Sequence, residues 1–549
     1  MPRSLDDDIV GLWKELTPSG AYLLGWDEYA GKLFIPSEQN IKEALEKVRS
    51  LRRRAENDVQ AKVLDSMEIN LLLPEPQPIL DDIVGAIFAH LVKEGVDDKN
   101  LSSLVAASSK AVDATQKRFK DAKVPSAVKA LTLYRLDGVL EVLGSVKRAT
   151  KSPKLKEDCD RLAEKVKRFV TFFELEGFGN GTFEEVEKVF QKQKFALGRE
   201  KFYRAALEAG FDYTETPDEL EQKAQGWIDE ELPKYREVTK RLAKHYKCEP
   251  TPEAVEKKIV ERQKLKPEQL LKVTNSIRRV MQAFTDESVV RINKKYKTKV
   301  IETPPYLSGM MPTGAASFYD TFTKKPFQVY FLTTDPKRDP AKSVSQLMQL
   351  LVHEEYGHCV NHSNSVLGGG KPSQIELINT LLTGPVTEGL SFNREREFLE
   401  ASQALKDKES LTRAEKDYVA LLEKHGGFDL LNMELEFETR KWRIVRFLRV
   451  IGDVRINTGK QGLFEFIDWA HERTGVPRNS VYYQLFPAHE GMFPGYATCY
   501  AVVGEEIHEI ENTLTDPKKR VKFSTYLTGI GFPPRSVYRR RLEEYAASL

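Results

Sequence analysis

The stretch SVSQLMQLLVHEEYGHCV, residues 343–360, is where the fold and the chemistry of the chain are read together. Val344, Leu347, Met348 and Leu351 recur at helical spacing, which predicts a helix with one apolar face. His353-Glu354-Glu355-Tyr356-Gly357-His358 then puts two imidazoles and a carboxylate on that helix, the way a helix builds a hydrolytic zinc site. The usual spacing puts the second histidine four residues after the first; here it is five. At about 100° per residue, positions i and i+4 of an α-helix lie about 40° apart and i and i+5 about 140°. An undistorted helix therefore cannot present both rings to one ion. A π-bulge, one extra residue in a turn, would return i+5 to register, and Gly357 would ease it. Alternatively His358 and His362, at i and i+4, form the pair, with Glu354 one turn before them. A third reading leaves His353 and His358 as ordinary helix residues beside a charged patch.

A catalytic zinc takes three protein ligands and keeps one position open for water. The candidate third donor is Glu388, in TGPVTEGLSFNREREF, thirty residues after His358 at the start of a predicted helix. Two neutral imidazoles and one carboxylate leave a single Zn2+ site net positive, which lowers the pKa of bound water. Glu354 is placed to take the water's proton and pass it to a leaving amine. Hydrolysis also needs donors for the oxyanion, and FPAHEGMFPGYATCYAVVGEEI supplies His489, Tyr496 and Tyr500, the tyrosines at i and i+4. Taken singly, each of these three is an ordinary packed or surface residue. Arg440, Arg443, Arg446, Arg449 and Arg455 precede that segment; one of them could grip a substrate's terminal carboxylate, against the plainer reading of a salt-bridged face.

Around these motifs the composition narrows the function. The 549 residues carry 84 basic and 82 acidic side chains, so nothing electrostatic calls for nucleic acid or an anionic membrane, and the expected partner is a short peptide or another small molecule. Cys159, Cys248, Cys359 and Cys499 are scattered without CxxC pairing, against a disulfide scaffold or zinc knuckle. Three aspartates interrupt the N-terminus where a signal peptide needs an apolar run, and no stretch reaches eighteen apolar residues; the chain reads as soluble and cytoplasmic. From about residue 38 to 300 the chain shows helical periodicity, and residues 1–300 are expected to form a helical scaffold along one side of the site. Residues 301–549 are expected to form the catalytic region, the two making one continuous unit. TPSGAYLLGWDEYAGKLF is read as a surface feature on the scaffold, and PFQVYFLTT as the one clear strand, whose edge would pair with an extended peptide. HSNSVLGGGKPS, with three consecutive glycines, is read as a mobile lid.

The order HEEYGH, TEGLSFNRE, HEGMFPGYATCYAVVGEEI resembles the gluzincin metallopeptidases, above all the domain of unknown function 885 family. That family's second motif reads E-G-W-A-L-Y-x-E and its third P-G-Q-A-x-S-Y-x-x-G. Glu388-Gly389-Leu390-Ser391-Phe392-Asn393-Arg394-Glu395 is similar to the second and Pro494-Gly495-Tyr496-Ala497-Thr498-Cys499-Tyr500 to the third. LTPSGAYLLGWDEYAGKLFIPSEQNI and RVIGDVRINTG extend the likeness over nearly the whole chain. The five-residue spacing is similar to that of dipeptidyl peptidase III, where it holds zinc; the 885 family usually has H-E-x-x-P-G-H, and this chain lacks the proline. Thimet oligopeptidase and thermostable carboxypeptidase are more distantly similar. The resemblance implies a mainly α, elongated body with a deep channel and a small sheet beside the metal helix. It implies a zinc-dependent exopeptidase of short peptides, with His353, His358 and Glu388 as ligands and Glu354 as base. His489, Tyr496 and Tyr500 would be the oxyanion donors, and Glu395 the partner of a histidine ring. A metal-dependent hydrolase of a non-peptide amide or ester, and a catalytically silent helical binding protein, are the alternatives.

Overall fold

The computed structural model describes residues 4–73, 75–173, 175, 182–192, 200–263, 265–308, 311, 313–335, 342–486 and 494–549, and over these the chain is mainly α-helical with one small sheet. Capping boxes start several helices: Ser4, Thr216, Ser343 and Thr412 each accept from the third residue of their helix, whose side chain bonds back to the cap. The elements that position the site are α1 (Pro217–Tyr246), β1 (Thr298–Glu302), β2 (Gly314–Tyr319), β3 (Phe327–Leu332), α2 (Val344–Leu350 and its continuation to Leu367), α3 (Pro385–Ala404), α4 (Phe428–Asn457) and α5 (Cys499–Glu511).

The two halves separated at residue 300 share their cores. Ile228, Leu232 and Tyr235 of α1 pack with Phe437, Ile444 and Phe447 of α4. Ile277, Met281 and Phe284 join Leu347, Met348 and Tyr356 of α2. Burial of such side chains contributes about 1.5–3 kcal/mol each, so the scaffold and the site region stabilise one another.

In the sheet the order is β1-β3-β2, β1 parallel and β2 antiparallel to β3. Along β3, Val329 and Phe331 enter one helical core while Tyr330 and Leu332 enter another. Side chains of a strand alternate between faces, so β3 is buried on both, which explains an alternation only partly visible in its sequence. The strand expected to offer its edge to a peptide is thus the central one, its main chain taken on both sides. β1 and β2 are the edges, and it is β2, from Gly-Ala-Ala-Ser-Phe-Tyr, whose residues Gly314 to Phe318 line the cavity.

Other sequence readings shift as well. Ala21, Tyr22 and Leu24 of the N-terminal aromatic stretch are buried rather than superficial, and the carbonyls of Leu23 and Leu24 accept from Asp320 and Phe322, fastening the β2–β3 connection. The triple-glycine loop is exposed at Gly369 and Gly370 and does not line the cavity; it meets the chain at Gly529, where a Cβ on Gly370 would lie 2.1 Å from the carbonyl oxygen. Among the described residues no helix is long and apolar enough to cross a membrane.

Candidate metal centre

α2 is α-helical over Val344–Leu350, π-helical over Leu351–Cys359 and α-helical again over Val360–Leu367, without a break. A π turn bonds i to i+5, so it brings His358 over His353: the rings lie 4.9 Å apart at 87°. His362 is not brought to this place. It is buried beneath the sheet, 4.1 Å from the Phe318 ring and parallel to it, with Nε2 3.1 Å from Thr321 Oγ1. Burial pushes its pKa down to about 3.

Gly357 has a different task from easing the bulge. Its φ is not in the left-handed region, but a Cβ there would meet Ser391 Oγ at 2.6 Å and Ser391 Cα at 2.9 Å. Only glycine lets α3 come this close to α2. The approach delivers Glu388, in the first turn of α3 where the helix dipole favours a carboxylate. Glu388 Oε2 lies 3.3 Å from His358 Nε2 and 3.8 Å from His353 Nε2. The three groups are buried and their donor atoms lie within 4.8 Å of one another. Ligands at about 2.0–2.2 Å in a tetrahedron stand about 3.3–3.6 Å apart, so the set fits a zinc-like cation.

The outer nitrogens fix both tautomers. His353 Nδ1 is 2.6 Å from Glu395 Oε1; a bare nitrogen would repel that oxygen, so Nδ1 carries the proton and Nε2 faces the cavity with its lone pair. Arg446 completes the arrangement, 2.8 Å from the same carboxylate. His358 Nδ1 donates to Ser391 Oγ at 2.9 Å, and that hydroxyl donates onward to the Thr387 carbonyl. Glu388 Oε2 receives no hydrogen bond from a described residue. Lone pairs of His358 and Glu388 therefore face each other, a repulsion that a proton or a cation between them removes. Burial disfavours charge on His358, yet Glu388 outweighs it and raises its pKa. Burial likewise opposes charge on Glu388, and His358 pulls it down to about 2.

The two adjacent glutamates part company. Glu355 is fully buried and bonded to Arg278 at 2.6 Å and to the Tyr296 hydroxyl at 3.0 Å. Glu354 lines the cavity and makes no hydrogen bond to a described residue.

α5 crosses α3 at bare backbone: a Cβ on Gly389 would meet Val503 at 2.5 Å, and one on Gly504 would meet Phe392 at 2.3 Å. This crossing sets two of the aromatic candidates. Tyr496 donates to Glu388 Oε1 at 2.5 Å, and Tyr500 stacks on His353, ring centres 6.1 Å apart and planes 17° from parallel. Burial raises both phenols, which stay protonated donors. His489 lies outside the described residues. Ser391 and Arg446 were not singled out as partners of the ligand rings; Ser391 stands three residues after Glu388 and so shares its helix face. The cavity holds about 700 Å³ and is walled by β2, α2, α3, α4 and the tyrosines.

No protein-family model matches the chain, and no curated protein matches it. Solved structures are similar over its whole length. The structure of the putative lipoprotein from Colwellia psychrerythraea is 15% identical with a TM-score of 0.66, covering 100% of both chains. That of a putative lipoprotein of unknown function from Shewanella oneidensis is 17% identical with a TM-score of 0.66, covering 98% of this chain and 100% of the other. At these identities the likeness shows the fold alone.

Proposed function

We propose that the chain is a zinc-dependent metallopeptidase of short peptides. The observation that carries this reading is the convergence of two imidazole Nε2 atoms and Glu388 Oε2, unsatisfied among the described residues, on one point of the cavity wall, with Glu354 beside them. The resemblance of the three motifs to gluzincin peptidases supports it.

His353, His358 and Glu388 would hold the metal, and Glu395 and Ser391 would keep both rings turned toward it. Zinc bound there supplies Lewis acidity and brings the pKa of a water toward neutrality. Glu354 takes the proton of the attacking water on its carboxylate and delivers it to the leaving amine nitrogen. Tyr500, against His353, is the donor we assign to the oxyanion, while Tyr496 holds the third ligand through Oε1. The edge of β2 offers main-chain groups along the same wall, where an extended peptide can add as a strand. A cavity of about 700 Å³ admits a few residues and excludes a folded protein. The four unpaired cysteines suit a reducing compartment, and we place the enzyme in the cytoplasm.

The test is hydrolysis by zinc-loaded protein of a panel of di-, tri- and tetrapeptides alongside non-peptide amides and esters. Cleavage of peptides that is lost in Glu354→Gln supports the proposal. Cleavage of only the non-peptide compounds would move the substrate class, and no cleavage with zinc bound would leave a binding protein.

A further inference from the structure

The arginines of α4 are matched by carboxylates with one exception. Arg440 pairs with Glu231 and Glu436, Arg443 with Glu231 and Glu505, Arg446 with Glu395 and Arg455 with Glu221. Arg449 is 5% exposed and pairs with no carboxylate among the described residues. Its Nη2 donates to the side-chain oxygen of Gln484, its guanidinium carbon lies 5.0 Å from the Tyr500 ring centre, and its Nε has no hydrogen-bond partner among the described residues. Burial pulls its pKa down to about 10, which leaves it cationic at neutral pH. A guanidinium withdrawn from bulk water without an anion is strongly disfavoured, so the vacancy beside it is matched to an anionic ligand.

The chemistry of that ligand follows from the donors. Gln484 gives its oxygen to Arg449, which leaves its amide nitrogen to donate into the same cavity. A planar cationic fork beside an amide donor matches a carboxylate. Its position follows from the ring contacts. Arg449 stands one ring beyond the metal ligands, across Tyr500, by steps of 5.0 and 6.1 Å. At about 3.3–3.6 Å per extended residue, a chain leaving the ligand triad reaches Arg449 within about three residues.

We propose that Arg449 and Gln484 bind the C-terminal carboxylate of the substrate, so that the enzyme trims short peptides from the carboxyl end. This rests on the peptidase reading for its catalytic step. The competing role for Arg449 is to position Tyr500 through its contact with the ring.

The experiment pairs the tripeptide Ala-Ala-Phe and longer alanine peptides as free acids with their C-terminal amides. Zinc-loaded wild type is expected to favour the acid by about 100-fold in kcat/KM, chiefly through KM. Arg449→Lys is expected to remove most of that preference by raising KM for the acid, and Gln484→Ala to reduce it. The same pairs are titrated calorimetrically into zinc-loaded Glu354→Gln protein, where the acid should bind more tightly and turnover plays no part. Equal binding of acid and amide overturns the inference, whether or not peptides are cleaved. So does a fall in kcat for acid and amide alike in Arg449→Lys, which is the result of a positioning role. Failure of the peptidase reading alone would show as tight, acid-selective binding without cleavage by the wild type.

Discussion

Gly357 and Ser391 touch across the α2–α3 interface so closely that a single methyl group does not fit, its nearest neighbours being Ser391 Oγ at 2.6 Å and Ser391 Cβ at 2.7 Å. Alanine in a helix interior is favoured over glycine by about 0.8–1 kcal/mol, whereas overpacking costs about 1–3 kcal/mol. Because the obstacle includes main chain, the clash should win. Gly357→Ala is expected to lower stability by about 1 kcal/mol or more and to weaken zinc retention. Gly226→Ala on α1, where nothing lies within 4 Å of the added carbon, should stabilise the protein instead. Urea denaturation and zinc content of both variants check this, and a stable, metal-replete Gly357→Ala would count against the close contact.

Neighbouring glutamates should separate chemistry from stability. Glu354→Gln is expected to keep both fold and metal and to lose about 10²–10⁴ in turnover. Glu355→Gln leaves the half-buried Arg278 opposite a neutral group and is expected to cost about 3 kcal/mol. Turnover and denaturation midpoints measured on the pair decide it; an active Glu354→Gln removes that residue as the base.

Metal removal gives a third expectation. Zinc at about 100 times its dissociation constant should stabilise the protein by about 2.7 kcal/mol, so a chelator should lower the melting midpoint and added zinc restore it. Glu388→Ala should abolish the response. Ser391→Ala should weaken zinc affinity by about 10–100-fold, since His358 loses the partner that turns its ring. Isothermal titration with zinc checks both, and an unchanged affinity in Glu388→Ala would exclude it as a ligand.

His362 predicts a pH dependence with a definite sign. Its pKa falls from an unfolded value of 6.5 to about 3 in the fold because burial excludes charge. Between those values only the unfolded chain takes up the proton, so the contribution of His362 is complete above about pH 6.5 and is lost as pH falls toward 3. The slope is at most about 1.4 kcal/mol per pH unit. His362→Gln should flatten the acid limb of stability relative to wild type in denaturant titrations at several pH values; parallel limbs would refute the assignment.

Much of this was legible in the chain. Helical spacing in Val344, Leu347, Met348 and Leu351 gave the start of α2, and the awkward five-residue separation of His353 and His358 pointed to the π turn that the structure contains. What escaped depends on contacts far apart in sequence. β2 is built from Gly314, Ala315, Ala316 and Ser317, residues with little strand preference, and is a strand because β3 pairs with it. The spacing of the α4 arginines showed a charged face, but which of them pairs with no carboxylate among the described residues depends on Glu231 of α1 and Glu505 of α5. Periodicity marks the face a helix buries and is silent on what lies opposite.

The π segment also has a consequence downstream. Beyond it, Asn364 bonds the Arg291 carbonyl and the Thr528 hydroxyl, Ser365 bonds the Thr528 carbonyl, and His362 keeps its place under Phe318. Deleting one residue to give the common four-residue histidine spacing would turn all of this by about 100°, unpicking the far end of the helix to regularise the near one. The insertion therefore acts as a phase shifter between two docking faces, and it can be gained or lost in evolution only together with the surfaces at both ends.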